Sequence, residues 1–400
     1  MRKTDAPGSV SNEFVDYNES TSTPGTVVEA DWLNDVQNEL IGIQEDQGLA
    51  EDEGTSHVVL EAIEKKILKE NLSVLAKTDK DKPVLEKTSA FTLDASQDFY
   101  AKTDSGVVLV ALGTSVDMTG VTQTAGQDYT YWVDPAGNVV ADTSFTSAPV
   151  TGAVLIGGFH NAPGGNASLD TNGNWANHTG GDTTEQINEY SIWDLKWRPS
   201  VDDPRGLALV PGLNEWWGIY PMSNGNEGGP LHMYGVDPCR DTNAPYKMWA
   251  DTPGQYNDAT PMNIFELLAY YGFKPPRADN FQFAALGTTE ETSAGGSDPG
   301  LTGDMSDTRD KERFTSAWGL FDITGVIRIW SSDSLPNNVQ ENGVTQGRSD
   351  DVFRFERFAT LGGYWASGSG SGSRSVHPGA ASASASRRRS RGACDHVVLP

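Results

Sequence analysis

The sequence predicts a mainly β protein with a helical N-terminal segment and a C-terminal domain of mixed α+β structure. Three observations lead to this fold class. The 400 residues include 43 glycines and 21 prolines, a composition typical of loop-rich β structure. Short runs of alternating apolar and polar residues, separated by turn-forming residues, recur beyond about residue 87. Helical periodicity is confined to two segments near the N-terminus and to residues 261–284.

The N-terminal segment, residues 1–86, is predicted to serve in attachment and oligomerisation. Residues 1–24 are polar and indicate an extended arm. Two helices then follow, each with apolar residues at steps of three and four: Leu33, Val36, Leu40, Ile43 and Leu60, Ile63, Ile67, Val74. Each stripe covers only two heptads, so it fits either packing on the chain's own domain or a stalk of two or three copies. We expect a homotrimer.

The next two regions are predicted to be folded domains. Residues 87–157 contain short alternating runs and turn signals, which indicate a β-sandwich-like neck. Residues 158–400 are rich in aromatic residues, glycine and proline. Within them, residues 261–272 predict a helix that ends at Gly272, and a second short helix follows residues 277–279, with Asp279 as its cap.

Charge and motif content exclude several function classes. The net charge of −26 disfavours nucleic-acid binding, even though three arginines are contiguous at residues 387–389. No run approaches the roughly 20 apolar residues of a membrane-spanning helix, and no signal peptide is present, so we expect no membrane insertion. Cys239 and Cys394 are predicted to be buried thiols, with a single disulfide as the alternative. No catalytic triad, phosphate loop or metal-ligand spacing occurs, and we expect no cofactor, metal or enzyme activity.

The C-terminal segment is the most informative part of the chain. Residues 366–390 are almost entirely Ser, Ala, Gly and Arg, a composition that is typical of a solvated linker. This run is nevertheless bounded by the aromatic turn at residues 361–365 and by the apolar residues 397–399. We therefore interpret it as an ordered surface whose side chains are free to vary, with a disordered linker as the alternative.

Several motifs, in their order along the chain, resemble one known family. These are Gly157-Gly158-Phe159-His160, Pro276-Arg277-Ala278-Asp279-Asn280-Phe281, Gly325-Val326-Ile327-Arg328-Ile329-Trp330, Gly362-Gly363-Tyr364-Trp365, Ser371-Gly372-Ser373-Arg374, Arg391-Gly392 and Cys394-Asp395-His396. The chain resembles, over roughly residues 90–400, the phage major tropism determinants, the variable receptor-binding proteins of diversity-generating retroelements. Their C-type lectin fold is of the formylglycine-generating-enzyme type. The first 86 residues depart from the family, whose chains begin with a β-prism.

This resemblance implies a viral receptor-binding protein at the tip of a tail fibre. It implies a C-type lectin fold in residues 158–400, with a variable ligand-binding face at 364–388. The variable positions carried over are Tyr364, Ala366, Ser367, Gly368, Gly370, His377, Gly379, Ala380, Ala383, Ala385, Arg387 and Arg388. Trp365, Arg374 and Asp395 are expected to be framework, with Trp365 buried and Arg374 hydrogen-bonded.

The implied partners are a host cell-surface protein or glycan and other virion tail proteins. The implied location is the virion, preceded by the host cytoplasm before assembly. Two alternatives belong to other classes: a formylglycine-generating-type oxidase or cellular ligand-binding protein of the same fold, and a structural virion protein whose Ser/Ala/Gly segment is only a linker. The oxidase is disfavoured because neither cysteine has a second cysteine near it in sequence.

Overall fold

The structure of the protein is a computed structural model that describes most of the chain from Val74 onward. The described residues are 74–163, 185–225, 229–240, 243–249, 254–295, 314–335, 357–379 and 388–399. The predicted N-terminal arm and the two predicted stalk helices lie outside them.

Nine strands in the first part of the described chain share one apolar core. They are β1 (Leu75–Lys77), β2 (Leu85–Lys87), β3 (Leu93–Ala95), β4 (Phe99–Thr103), β5 (Gly106–Val110), β6 (Gln127–Val133), β7 (Val139–Asp142), β8 (Val154–Pro163) and β9 (Glu185–Ile187). The order β1-β4-β5 forms a three-stranded sheet, and β2 pairs with β3. Alternate residues point inward, so Phe99 and Ala101 of β4 are buried in the same core as Tyr129 and Tyr131 of β6.

A nine-stranded sheet joins this region to the C-terminus. Its further strands are β10 (Trp193–Asp194), β11 (Trp197–Pro199), β12 (Leu207–Val210), β13 (Glu215–Gly218) and β18 (Ala393–Val398). The strand order is β12-β13-β18-β11-β10-β8-β6-β7, with β9 paired to β8. The last strand, β18, therefore lies between β13 and β11 and is antiparallel to both. The end of the chain completes the sheet.

The predicted domain boundary at residue 157 falls inside a continuous strand. Strand β8 runs from Val154 to Pro163 and pairs with β6 on both sides of that point. Gly157 and Gly158 lie in this strand where neighbouring residues leave no room for a side chain. A Cβ atom on Gly157 would lie 2.1 Å from the main-chain oxygen of Trp193 and 2.3 Å from the hydroxyl of Tyr131. The two glycines thus mark a tight strand contact, and the sheet crosses from one predicted domain into the next.

Two α-helices lie where the sequence predicts them. Helix α1 (Pro261–Tyr270) begins after Thr260, whose side chain accepts a hydrogen bond from the main-chain N–H of Asn263. It is followed by Gly272 at φ +79°, in the left-handed region that ends many helices. Neither α1 nor any other helix in the described part of the chain is long and apolar enough to cross a membrane.

The predicted cap of the second helix is wrong. Helix α2 (Ala278–Ala284) has Arg277 at its N-cap position, with no side-chain hydrogen bond from it, and Asp279 lies within the first turn. The carboxylate of Asp333 instead accepts a hydrogen bond from the main-chain N–H of Ala278. The cap thus comes from a residue 55 positions away, which local sequence rules do not detect.

A four-stranded sheet forms the remainder of the fold. It consists of β14 (Arg328–Leu335), β15 (Arg357–Gly362), β16 (Gly372–Gly379) and β17 (Arg388–Arg389), in the order β16-β15-β14-β17. Helix α2 covers one side of it, where Phe281 shares a core with Ile329 and Leu361. Strands dominate the described chain and helices are few, which confirms the mainly β prediction.

Candidate ligand-binding face

The side of the four-stranded sheet away from α2 brings basic and aromatic side chains together. Strand β17 is parallel to β14, and the register sets Arg388 beside Arg328. Trp330 lies two residues after Arg328 and therefore points to the same side, while Ile329 points to the core. The ladder continues from Trp330 through Thr360 to His377. Strand pairing thus aligns residues from three distant parts of the sequence.

Two arginines of this surface lie over aromatic rings. The guanidinium carbon of Arg328 is 4.8 Å from the ring centroid of Tyr364. The guanidinium carbon of Arg388 is 5.1 Å from that of Trp330. Such cation–π contacts contribute about 0.5–1 kcal/mol at exposed sites and more where water is excluded. We call the cluster formed by Arg328, Trp330, Tyr364, His377 and Arg388 the arginine–aromatic face; Trp330 is fully buried in it, and the other four side chains are half-buried.

The loop between β15 and β16 is anchored through Trp365. Its main-chain N–H donates to the oxygen of Val326 at 3.0 Å, and its main-chain oxygen accepts from the N–H of Gly295 at 2.7 Å and from the hydroxyl of Ser293 at 2.9 Å. Its side chain is only 9% exposed. Trp365 is thus buried, as expected for a framework residue.

The predicted variable residues that follow Trp365 point outward. Ala366, Gly368 and Gly370 are exposed, and Ser367 is half-buried. The hydroxyl of Ser367 accepts a hydrogen bond from the main-chain N–H of Tyr364 at 3.0 Å. The buried indole of Trp365 is therefore followed by a run of small residues whose side chains are not needed for packing.

His377 connects the loop to strand β16. Its Nε2 atom lies 3.1 Å from the main-chain oxygen of Gly370 and 2.9 Å from the hydroxyl of Ser375. Partial burial and the positive charge of Arg328 lower the pKa of His377 below its ordinary value. The imidazole is therefore neutral at physiological pH, and the charge of the face comes from the arginines.

Several predicted site residues fall elsewhere or outside the described residues. Ala380, Ala383, Ala385 and Arg387 lie outside them. Gly379 is buried under Trp330, and a Cβ atom there would lie 2.5 Å from the indole ring. A larger residue at 379 requires that the indole move, which distinguishes this position from Gly368 and Gly370.

The two other predicted framework residues have exposed side chains. Arg374 is exposed on β16 and has no side-chain hydrogen-bond partner among the described residues, unlike the expected hydrogen-bonded role. Its position on an edge strand, with alternate residues turned away from the face, accounts for this. The carboxylate of Asp395 is 73% exposed and lies 2.7 Å from Nζ of Lys274. Asp395 takes part in the framework through its main chain, since its oxygen accepts from the N–H of Ser200 at 2.9 Å.

Sequence reasoning did not assign Arg328 and Trp330 to the site. Both belong to the apolar run Val326–Trp330, in which an arginine between two isoleucines is the one charged residue. That placement is a usable signal, because a charge inside an otherwise apolar strand is costly to bury and is often functional.

Three further ionisable groups, two buried and one half-buried, form hydrogen bonds around the C-terminal strand. Burial lowers the pKa of His232 to about 3 and that of His396 to about 4. Nε2 of His232 accepts a hydrogen bond from the main-chain N–H of Gly392, and Nδ1 of His396 accepts from the indole N–H of Trp216, both at 2.9 Å. The guanidinium of Arg391 is fully buried and donates to the main-chain oxygens of Gly218, Ile219 and Phe321. These groups hold the C-terminal strand in the sheet.

Both cysteines are buried free thiols, as predicted. Burial raises the pKa of Cys394 to about 12. A thiol of that pKa stays protonated at neutral pH, whereas nucleophilic attack needs the thiolate. Among the described residues, no group of three or more His, Cys, Asp or Glu side chains is placed to hold a metal ion.

Comparisons with known proteins agree with the resemblance seen in the sequence. A family model described as the Mtd second domain matches residues 74–194, a range wider on both sides than the predicted neck. The chain is 34% identical over 342 residues to the tail fiber receptor-binding protein of Bordetella phage BPP-1, covering 79% of this chain and 86% of that protein.

Solved structures of major tropism determinants are similar as well. The U1 and M1 variants are 32% identical, with a TM-score of 0.71, over 84% of this chain and 88% of theirs. The P3c variant has the same identity and coverage and a TM-score of 0.72. The fold and family implied by the sequence motifs are therefore confirmed.

Proposed function

Because this chain belongs to the family of the tail fiber receptor-binding protein of Bordetella phage BPP-1, we propose that it is a phage receptor-binding protein that attaches to a host surface ligand. The single observation that carries this proposal is the 34% identity that extends over 86% of that relative. We further propose that attachment takes place at the arginine–aromatic face and the adjoining loop of small residues.

The local structure supports a binding site whose side chains vary on a fixed scaffold. Trp365 is buried and its main-chain groups are hydrogen-bonded, while Ala366, Gly368 and Gly370 are exposed. Substitutions at exposed positions usually change stability by less than about 0.5 kcal/mol, so such positions tolerate many residue types. We propose that Tyr364, Ser367, His377 and Arg388, together with these three, are variable. The assignment of Gly379 to the variable set requires movement of Trp330.

Because the loop has only small side chains, we propose that a single site of this protein binds its ligand with low affinity. Binding energy at interfaces is concentrated in Trp, Tyr and Arg, and the loop from 366 to 370 contains none of them. An oligomer offsets weak sites, because linked sites raise the effective concentration for each further contact. We propose a homotrimer, which rests on the heptad stripes of the N-terminal segment.

We also propose that the protein is made in the host cytoplasm and is then assembled into the tail fibre of the virion. Its partners there are other tail proteins. Diversification of residues 364–388 by a retroelement is part of the same proposal and rests on the family. The oxidase alternative is not favoured, since the similar proteins are a tail fiber receptor-binding protein and major tropism determinants.

Competition for phage adsorption tests the proposed function. Purified full-length protein is added to host cells together with phage particles, and free phage are counted. We expect the wild-type protein to reduce adsorption and the Tyr364→Ala variant to reduce it much less. Leu112, which is 64% exposed beside β5, provides a matched control, and Leu112→Ala should compete as well as wild type. Undiminished adsorption at saturating wild-type protein would contradict the proposal.

A further inference from the structure

A short segment outside the variable region borders the loop between β15 and β16. It consists of residues 290–295, which follow helix α2 in the chain, and we call it the supporting segment. The main-chain N–H of Ala294 donates to the oxygen of Gly325 at 2.9 Å. The side chain of Ala294 packs against a buried cluster that includes Phe314 and Ile327. The supporting segment is therefore attached to the core of the fold.

The hydroxyl of Ser293 joins two main-chain groups of the loop. It donates to the oxygen of Trp365 at 2.9 Å and accepts from the N–H of Gly368 at 3.0 Å. The main-chain N–H of Gly295 donates to the same oxygen of Trp365 at 2.7 Å. The Ser293 hydroxyl therefore links the buried start of the loop to its exposed part.

Glu290 and Glu291 hold the other end of the loop, where strand β16 begins. Oε1 of Glu290 accepts from the main-chain N–H of Ser373 at 2.9 Å and also from the hydroxyl of Ser373. The main-chain N–H of Glu291 donates to the oxygen of Ser371 at 2.9 Å. A Cβ atom on Gly372 would lie 2.0 Å from Oε2 of Glu290, so the carboxylate lies directly against the backbone. Both ends of the loop are thus bound to the supporting segment.

Apart from the bond to the hydroxyl of Ser373, these contacts go to main-chain atoms of the loop and of β16. A substitution changes a side chain but leaves the main-chain N–H and oxygen in place, except that proline has no N–H. The contacts of Ser293 and Glu290 therefore remain available whatever other side chains occupy residues 366–370. A loop held through its own side chains would instead change its conformation with each substitution.

The order of the loop before binding affects its affinity for a ligand. A residue that is mobile in the free protein must be fixed when the ligand binds, and the loss of its conformational freedom opposes binding. Fixing the backbone of one such residue lowers affinity by about 5–30-fold. Residues that order the loop in advance therefore strengthen binding without touching the ligand.

We propose that Ser293 and Glu290 are positioning residues of the receptor-binding site. They hold the loop between β15 and β16 in its binding conformation through main-chain contacts, independently of the variable side chains. This inference rests on the proposed receptor-binding function. It extends the site to a constant segment, since Ser293 precedes Trp365 by 72 residues.

Hydrogen exchange in the full-length protein tests the positioning contacts. Ser293→Ala removes the acceptor of the Gly368 amide, and Glu290→Ala removes that of the Ser373 amide. We expect each variant to speed exchange at its own amide by about 2–10-fold, the range for loss of one hydrogen bond. Ser293→Thr and Glu290→Gln keep an acceptor oxygen and should exchange as wild type does. Glu86→Ala, at an exposed glutamate of β2, is the matched control and should change neither amide.

A second loop sequence tests whether the contacts are independent of the variable side chains. Ala366→Tyr changes an exposed side chain between Trp365 and Gly368. Ser293→Ala is introduced both into this variant and into wild type, and Gly368 exchange should increase by the same factor in both. A difference of more than about twofold between the two factors, beyond the tolerance for independent sites, would overturn the inference. Unchanged exchange at both amides in the alanine variants would overturn it as well.

Competition for phage adsorption connects the loop contacts to function. Ser293→Ala and Glu290→Ala should need about 5–30-fold more protein than wild type for equal inhibition. The variants Ser293→Thr, Glu290→Gln and Glu86→Ala should inhibit as wild type does. Undiminished inhibition by both alanine variants, despite faster exchange, would show that binding does not need an ordered loop and would refute the positioning role. No inhibition by wild type would contradict the receptor-binding function itself, whereas the exchange experiment judges the loop contacts without a receptor.

Discussion

Replacement of Trp365 by alanine measures how much the loop between β15 and β16 depends on one buried side chain. The indole is 9% exposed, and the main-chain hydrogen bonds of Trp365 to Val326 and Gly295 do not involve it. The loss therefore comes from packing and from the cavity that remains. Removal of a buried tryptophan costs about 3–5 kcal/mol of unfolding free energy.

That free energy converts into a modest shift of the melting temperature. The entropy of unfolding grows with chain length, so in a unit as long as Val74–Pro400 each kcal/mol lowers Tm by about 1.5 °C. We expect Trp365→Ala to lower Tm by about 4–8 °C in differential scanning calorimetry. The adjacent variant Ala366→Tyr, at an exposed position, should change Tm by less than about 1 °C.

The difference in Tm between the two variants tests the division into framework and variable positions. Equal destabilisation would show that Ala366 is part of the core, and the division into framework and variable positions would then be wrong. An unchanged Tm for Trp365→Ala would show that the loop unfolds independently of the remaining fold, and hydrogen exchange across residues 363–371 would locate that local opening.

Three further outcomes are expected. Burial lowers the pKa of His232 to about 3 and that of His396 to about 4, whereas histidine in the unfolded chain has a pKa of about 6.5. Between pH 7 and 5 the unfolded chain therefore binds more protons than the folded chain. The free energy of unfolding measured in urea should fall as pH decreases over that range. A pH-independent urea midpoint over that range would contradict this reasoning. Amide hydrogen exchange in residues 366–379 should be slower than in residues 1–24, and equal rates would indicate a disordered linker. Light scattering should show a homotrimer for the full chain and a monomer for a chain that starts at Val74, where the described β core begins. A monomeric full chain would exclude the stalk. An oligomeric shorter chain would place the interface in the later domains.

Local patterns in the sequence determined a large part of this protein. The Gly and Pro content and the short alternating runs predicted a mainly β fold, which the strands confirm. Helix α1 begins after Thr260 and ends before Gly272, because capping and the left-handed turn are set by residues within a few positions of the helix ends. The burial of Trp365 beside exposed small residues also followed from the motifs around it, through the family that those motifs resemble.

Tertiary structure decided what depends on residues far apart in sequence. The cap of α2 comes from Asp333 rather than Asp279, because a distant carboxylate reaches the main-chain N–H of Ala278. The arginine–aromatic face exists because β17 pairs with β14 and brings Arg388 beside Arg328. Periodicity shows which way a side chain points along its own strand, but not which strand lies next to it. Strand pairing is settled by the packing of the whole chain, and the composition of the arginine–aromatic face follows from it.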